Sequence, residues 1–184
     1  DIDAWSDVIL EGVFGEITIV GEGSNTVEIK GEAKNLTIEA PNADVIISGK
    51  VETVTTAATA TKANITVAKD AEVSTIVANG SDMNIGGEGK VNTVEAKANN
   101  VVVNVPGAQV TADPGVTGTV AGDVEVNPGG SATVPSTPTD PGTGAGPGTG
   151  GSKAVTINSL QLLGSNIDDI NIIKREGLDN IEYD

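Results

Sequence analysis

The chain has 184 residues, a formal net charge of −16, no histidine and no cysteine. The acid excess leaves no basic surface to neutralise phosphates, which excludes nucleic acid as a partner. The two missing residue types exclude disulfides, thiolate metal sites and any Ser-His-Asp arrangement.

Hydrophobic residues make up 38% of the chain, yet Trp5, Phe14 and Tyr183 are its only aromatics. A core of Val, Ile, Ala and Leu is narrow, and β-branched residues favour strands. The acidity keeps an edge-rich β structure soluble through self-repulsion. No stretch reaches the ~20 apolar residues needed to span a bilayer. The chain starts at Asp1 without a secretory signal, so a mature protein or an excised piece is expected.

Taken in chain order, the first elements are Asp1–Asp7, Trp5 and Phe14, which read as an N-terminal cap. Short aliphatic pairs then recur, each a strand with two side chains on one face. One series starts at Ile17, Leu36, Val54, Ile76 and Val94; the other starts at Val27, Val45, Ile65, Met83 and Val101. Two interleaved series with a common step near 18 residues are the signature of a coil with at least two faces. The expected fold is therefore all-β, a parallel β-solenoid of about 18–20 residues per coil over residues 1–127. At ~4.8 Å per rung, six or so coils make a rod about 30 Å long. An antiparallel sandwich would suit the alternation, but Asn79-Gly80 is the only Asn-Gly hairpin signal, and similarity is strongest between every second strand.

Three markers fix the expected register. The segments opening at Ala33, Val51, Val73 and Val91 align without gaps, adding a third inward position and a Thr53/Thr75/Thr93 column above Asn35. Thr26, Asp44, Asn64, Asp82 and Asn100 read as one corner of turn-capping residues, with Asn64 separating the two aspartates. Gly31, Gly49, Gly86, Gly87 and Gly89 read as a second corner whose bend needs positive φ. Val110, Val116, Val120, Val124 and Val126 continue the pattern into a distorted last coil.

Residues 128–152 are dominated by Gly, Pro, Ser and Thr and read as a spacer. Residues 153–184 form a short β-rich segment, too small to bury a core alone. It is either the start of a second domain or a docking element that adds a strand to an open edge. Its self-association residues would be Val155, Ile157, Leu160, Leu162, Ile170 and Ile172.

The phrases ANNVVVNVPGAQVTADPGVTGTVAGDVEV and GKVNTVEAKA, within residues 15–150, resemble the β-solenoid regions of surface-layer-type and cell-wall-associated proteins of Gram-positive bacteria. The resemblance implies an exported, cell-surface, structural role. The tandem surface-layer-homology modules that anchor many such proteins are absent from the sequence.

The search for chemistry points away from an enzyme. Arg175 is the only arginine, and Asp168/Asp169 read as a solvated acid pair rather than a glycosidase dyad. Neither an EF-hand run nor the GGxGxDxUx calcium repeat occurs. No cofactor is expected. Asp44, Asp70 and Asp82 at coil corners offer at most loose surface Ca2+ binding, with turn capping the preferred role. Gly86-Gly87-Glu88-Gly89-Lys90 lacks the phosphate-loop spacing. A single threonine per coil is short of an ice-binding double rank. The expected function is a stalk, filament or surface-layer element whose partner is itself or another cell-surface protein. The alternative is an adhesin-like module for cell-wall polysaccharide or a host protein, using an open end or an apolar strip at Ile46/Val102.

Overall fold

A computed structural model describes residues 2–3, 7–21, 26–136, 172–173 and 182–183. One sheet is built from β1 (Ile2–Asp3), β3 (Val13–Val20), β5 (Glu32–Ile38), β7 (Lys50–Thr56), β9 (Glu72–Ala78), β11 (Lys90–Ala96), β13 (Gln109–Ala112) and β16 (Ser131–Thr133), adjacent in that order. The other contains β2 (Val8–Leu10), β4 (Thr26–Ile29), β6 (Asp44–Ile47), β8 (Asn64–Val67), β10 (Asn84–Gly87), β12 (Val102–Asn104), β14 (Thr119–Ala121) and β15 (Val124–Val126). The chain alternates between the sheets as far as β14, and neighbours within each are parallel until the last strand. The fold is a β-solenoid of about six coils with no helix among the described residues.

The stacking is in register, so equivalent side chains form columns along the rod. Ile17, Leu36, Val54, Ile76, Val94 and Val110 form one column, as the spacing predicts. From Leu36 onward every member is fully buried. Such burial is worth about 1.5–3 kcal/mol per side chain. Ala33, Val51, Val73 and Val91 stack above Phe14 to supply the third inward position. Between Ala33 and Leu36 two consecutive residues face out, and the pairing passes from Ala33–Val51 to Asn35–Thr53 without a pair at Lys34. The strand therefore turns a corner at Lys34, and each coil has three inward-facing runs.

The second series departs from expectation. Val27, Val45 and Ile65 stack as predicted, but Ile65 pairs with Ile85, not Met83, and Ile85 with Val103, not Val101. Met83 and Val101 occupy the preceding inward column, above Ala43 and Ala63. Large and small residues are placed differently on the two coils. Gly87 stands where Val67 does one coil below, and Met83 fills the place of Ala63. The aliphatic pair is thereby displaced two residues along the sequence.

The polar corner is two columns rather than one. Thr26, Asp44, Asn64 and Asn84 stack together, whereas Asp82 and Asn100 stand two residues earlier on their coils, in line with Asn42, Lys62 and Gly118. All five of the latter have φ between 55° and 72°. This left-handed conformation turns the amide over. Asn42, Lys62, Asp82 and Asn100 donate their N–H to the following coil, at Thr61, Ser81, Asn99 and Thr117, over 2.9–3.0 Å. Asn64 and Asn84, two residues later, donate to the preceding coil. Asn64 thus separates Asp44 from Asn84, not from Asp82.

The glycine corner is also explained differently. Gly31, Gly49 and Gly89 do not have positive φ; of the five glycines named for this corner only Gly87 does, at 122°. Space is the constraint. A Cβ on Gly31 would lie 1.8 Å from the Gly12 carbonyl oxygen, and one on Gly49 would lie 1.9 Å from that of Gly31. Successive coils touch there through bare backbone.

At the C-terminal end both sheets finish with a reversed strand. β15 returns on β14 through a two-residue hairpin at Gly122-Asp123, with Gly122 at φ 63°, and β16 runs antiparallel to β13. Val126 and Val134 are buried beneath this closure. Residues 128–136, expected in the spacer, therefore belong to the coil body, because Val134 and the β16 backbone have partners there. Of the N-terminal cap, Trp5 lies outside the described residues, while Phe14 packs partly buried against the core. The chain divides into units 1–140 and 141–184. In the second unit, β17 (Ile172–Ile173) pairs antiparallel with β18 (Glu182–Tyr183).

Two glycine substitutions separate these causes. Gly49→Ala is expected to destabilise on the order of 1–3 kcal/mol or more through overpacking. Gly86→Ala, with nothing within 4 Å of the added methyl group, is expected to be neutral or stabilising by up to about 1 kcal/mol. Denaturant midpoints of the two variants decide it; equal midpoints would refute the close-approach explanation.

Candidate functional site

The chemically richest surface is the glycine corner. Bare backbone at Gly12, Gly31 and Gly49 leaves a furrow, walled by the residues that open β5, β7, β9 and β11. Those residues are Glu32, Lys50, Glu72 and Lys90, stacked in register on four successive coils with alternating sign. Glu72 is the central rung. Its carboxylate lies 3.1 Å from Lys90 Nζ and 3.9 Å from Lys50 Nζ. An insertion at Ala68–Ala71, with Asp70 at φ 71°, interrupts the furrow, so Asp70 and Glu72 line both parts. The Lys90 hydrogen bond and charge, with a smaller contribution from Lys50, hold the Glu72 carboxyl below the usual carboxylate range.

Two further carboxylates are tied into columns. Asp44 accepts from Thr26 Oγ1 at 3.2 Å and Asn64 Nδ2 at 2.9 Å. Asp82 accepts from Asn100 Nδ2 at 2.8 Å and Ser81 Oγ at 3.0 Å, bonds that lower its pKa. Asp44, Asp70 and Asp82, the residues expected to offer loose Ca2+ sites, thus stand in separate columns. No group of three or more acidic, His or Cys ligands converges among the described residues.

One interior polar group has a structural task that the sequence reading missed. Thr56 replaces the aliphatic residue of the Ile38, Ala78 and Ala96 column and is fully buried. Its Oγ1 accepts from the Asn79 and Gly80 amides at 3.0 and 3.1 Å, and Asn79 Nδ2 reaches the Thr56 carbonyl at 2.7 Å. Asn79-Gly80 is therefore a coil corner anchored to the coil below, not a hairpin. Thr119, also fully buried, has no partner for its hydroxyl.

Of the residues expected to mediate self-association, Ile172 lies in β17, whose backbone pairs with β18. Val155, Ile157, Leu160, Leu162 and Ile170 lie outside the described residues, as do Asp168, Asp169 and Arg175. Ile46 and Val102, read as one apolar strip, fall in different columns: Ile46 stacks with Glu28 and Thr66, Val102 with Asn84 and Val120. The Thr53/Thr75/Thr93 column above Asn35 is present. The alternating charge column was legible in principle, because each member immediately precedes one of the four aligned segments.

No helix of the described residues is long and apolar enough to cross a membrane. Comparison with protein-family models, with curated proteins and with solved structures returned no match.

The two buried threonines have opposite expected responses. Thr56→Val leaves two amides unpaired and is expected to cost about 1–3 kcal/mol, whereas Thr119→Val removes an unpartnered hydroxyl and is expected to cost nothing or to stabilise. Chemical denaturation of both variants measures this, and a Thr56→Val protein as stable as the parent would contradict the anchoring role.

Acid titration tests the carboxylate columns. Glu72 and Asp82 have pKa values lowered by folding, so their stabilisation is present above the ordinary carboxylate range, near pH ~4, and is lost as pH falls through the depressed values. Lys90→Met removes the largest cause for Glu72. The variant is expected to show a shallower loss of stability between neutral and acid pH; an unchanged slope would remove Glu72 from the account.

Proposed function

We propose that this chain is a non-catalytic structural module of an extracellular bacterial surface protein: a stalk, filament or surface-layer element. The supporting observation is the continuity of the rod. Two parallel sheets run from the first coil to the last around a dry interior one side chain deep, and both end in reversed strands at the C-terminal end. Reversal removes the parallel template that would accept another coil there, which sets the length of the body.

The outer surface supports the same reading. The described carboxylates with resolved shifts are engaged in inter-coil pairs that lower their pKa, whereas a general acid at neutral pH needs a raised one. Charge and hydrogen bonds on the surface are thus spent on holding coils together. The resemblance of the valine-rich coils and their Pro/Gly/Thr spacer to surface-layer-type proteins gives the cellular context. Self-association through residues 153–184 is part of this proposal.

Antibody labelling of the producing cells tests the location. Antibody raised against the coil body is expected to label intact cells; labelling that requires lysis would reject a surface role. Purified chain screened against wall glycans and host proteins is expected to give no saturable binding, and a saturable ligand would favour the adhesin-like alternative.

A further inference from the structure

We infer that the glycine corner is a self-complementary surface on which a second copy of this chain docks side by side, with the two rods antiparallel. The observation is the order of residues across the corner on four successive coils. They read Lys30-Gly31-Glu32, Ser48-Gly49-Lys50, Asp70-Ala71-Glu72 and Glu88-Gly89-Lys90. The last residue of each triplet is held in one column by the strand register.

Consider a two-fold axis that crosses this strip at right angles to the rod, between the levels of Lys50 and Glu72. It keeps each residue in its own column and reverses the order of coils. Glu32 then faces Lys90 of the second copy, and Lys30 faces its Glu88. Lys50 faces Glu72, and Ser48 faces Asp70. Each charged residue of the strip meets an opposite charge or a neutral group. Gly31 faces Gly89, so that backbones can approach there, while Ala71 is buried and its coil presents Asp70 and Glu72 instead. The neighbouring outward column obeys the same rule, with Lys34 facing Asn92 and Glu52 facing Ser74. A parallel arrangement in the same column register would set Lys50 against Lys50 and Glu72 against Glu72.

Charge elsewhere on the molecule favours this strip over other faces. The chain has a net charge of −16, so contact between arbitrary faces is repulsive. Lys30, Lys50, Lys69 and Lys90 gather at this corner and Lys34 lies in the neighbouring outward column, while Lys62 and Lys97 are the other described lysines. The strip is the near-neutral seam of an acidic rod. Lys50 and Lys90 side chains are 64% and 67% exposed, so they reach outward while also flanking Glu72. Ion pairs at such a rim are individually weak and screened by salt. The pairing is consequently concentration-dependent and lost at high ionic strength. It does not rest on the surface-protein reading or on residues 153–184.

The cysteine-free chain gives a clean test. Full-length Glu32→Cys and Lys90→Cys proteins are mixed and mildly oxidised. The antiparallel arrangement predicts a mixed disulfide dimer well in excess of any Glu32→Cys homodimer. In that arrangement two copies of position 32 are three rungs apart, about 14 Å, beyond the ~7 Å Cα separation a disulfide spans. A predominant Glu32→Cys homodimer would mean parallel rods, and no cross-linking at the highest soluble concentration would mean no pairing; either overturns the inference. Sedimentation supplies a second readout without cysteine. The dimer fraction of the parent chain is expected to fall with added NaCl and to vanish in Lys50→Glu. The reciprocal double variant Lys50→Glu/Glu72→Lys is expected to recover it, with circular dichroism confirming that each variant is folded. Failure of the reciprocal variant to dimerise while folded rejects the proposed register.

Discussion

The structure depends on the hydrogen-bond ladder between successive coils. A coil of this fold has no partner strand within itself, so its amides and carbonyls must be satisfied by the coils above and below. That requirement holds the coils in register and the interior to one side chain in depth. The aliphatic columns follow from it: side chains at one position meet the same position on the next coil, so Val, Ile, Leu and Ala suffice without an aromatic centre. Substitutions are then accommodated locally, as where Gly87 follows Val67 and Met83 follows Ala63 on the next coil.

Corners are where this regularity is hardest to keep, and the molecule resolves each by a different device. At Asn42, Lys62, Asp82 and Asn100 the left-handed backbone reverses the amide, so the ladder continues to the following coil through a bend. Along the line of Gly31, Gly49 and Gly89 the coils approach until no Cβ fits. At Thr56 a buried hydroxyl replaces the missing backbone acceptor for the Asn79-Gly80 corner. Residues that look alike in composition, polar or small and near a turn, therefore do unrelated work.

The same register that stacks the core also stacks the surface, and this links fold to proposed function. In-register coils turn any residue into a column, so like charges would repel along the rod. The sequence avoids this by alternation, as in Glu32, Lys50, Glu72 and Lys90, or by neutral spacers, as where Thr26 and Asn64 flank Asp44. An alternating column is neutral along its length and matches its own reverse. A feature that relieves strain within one rod thereby becomes a surface that a second rod can recognise.

The sequence alone determined the solenoid, its coil length, the Leu36–Val54–Ile76–Val94 column and the Thr53/Thr75/Thr93 column, because a repeat in chemistry at a fixed step has one economical geometry. It also announced the glycine and polar corners as corners. What it left open is which residues share a column once a coil carries an insertion or a glycine where its neighbour has valine. For that reason periodicity alone puts Met83 in the Ile65 column and Asp82 in line with Asp44, where the register has Ile85 and Asn84. The reversed strands β15 and β16 were hidden because antiparallel and parallel strands have the same alternation. Only the tertiary structure decides such matters, since register is fixed by the hydrogen bonds a coil makes to its neighbours, and periodicity along one coil carries no record of them.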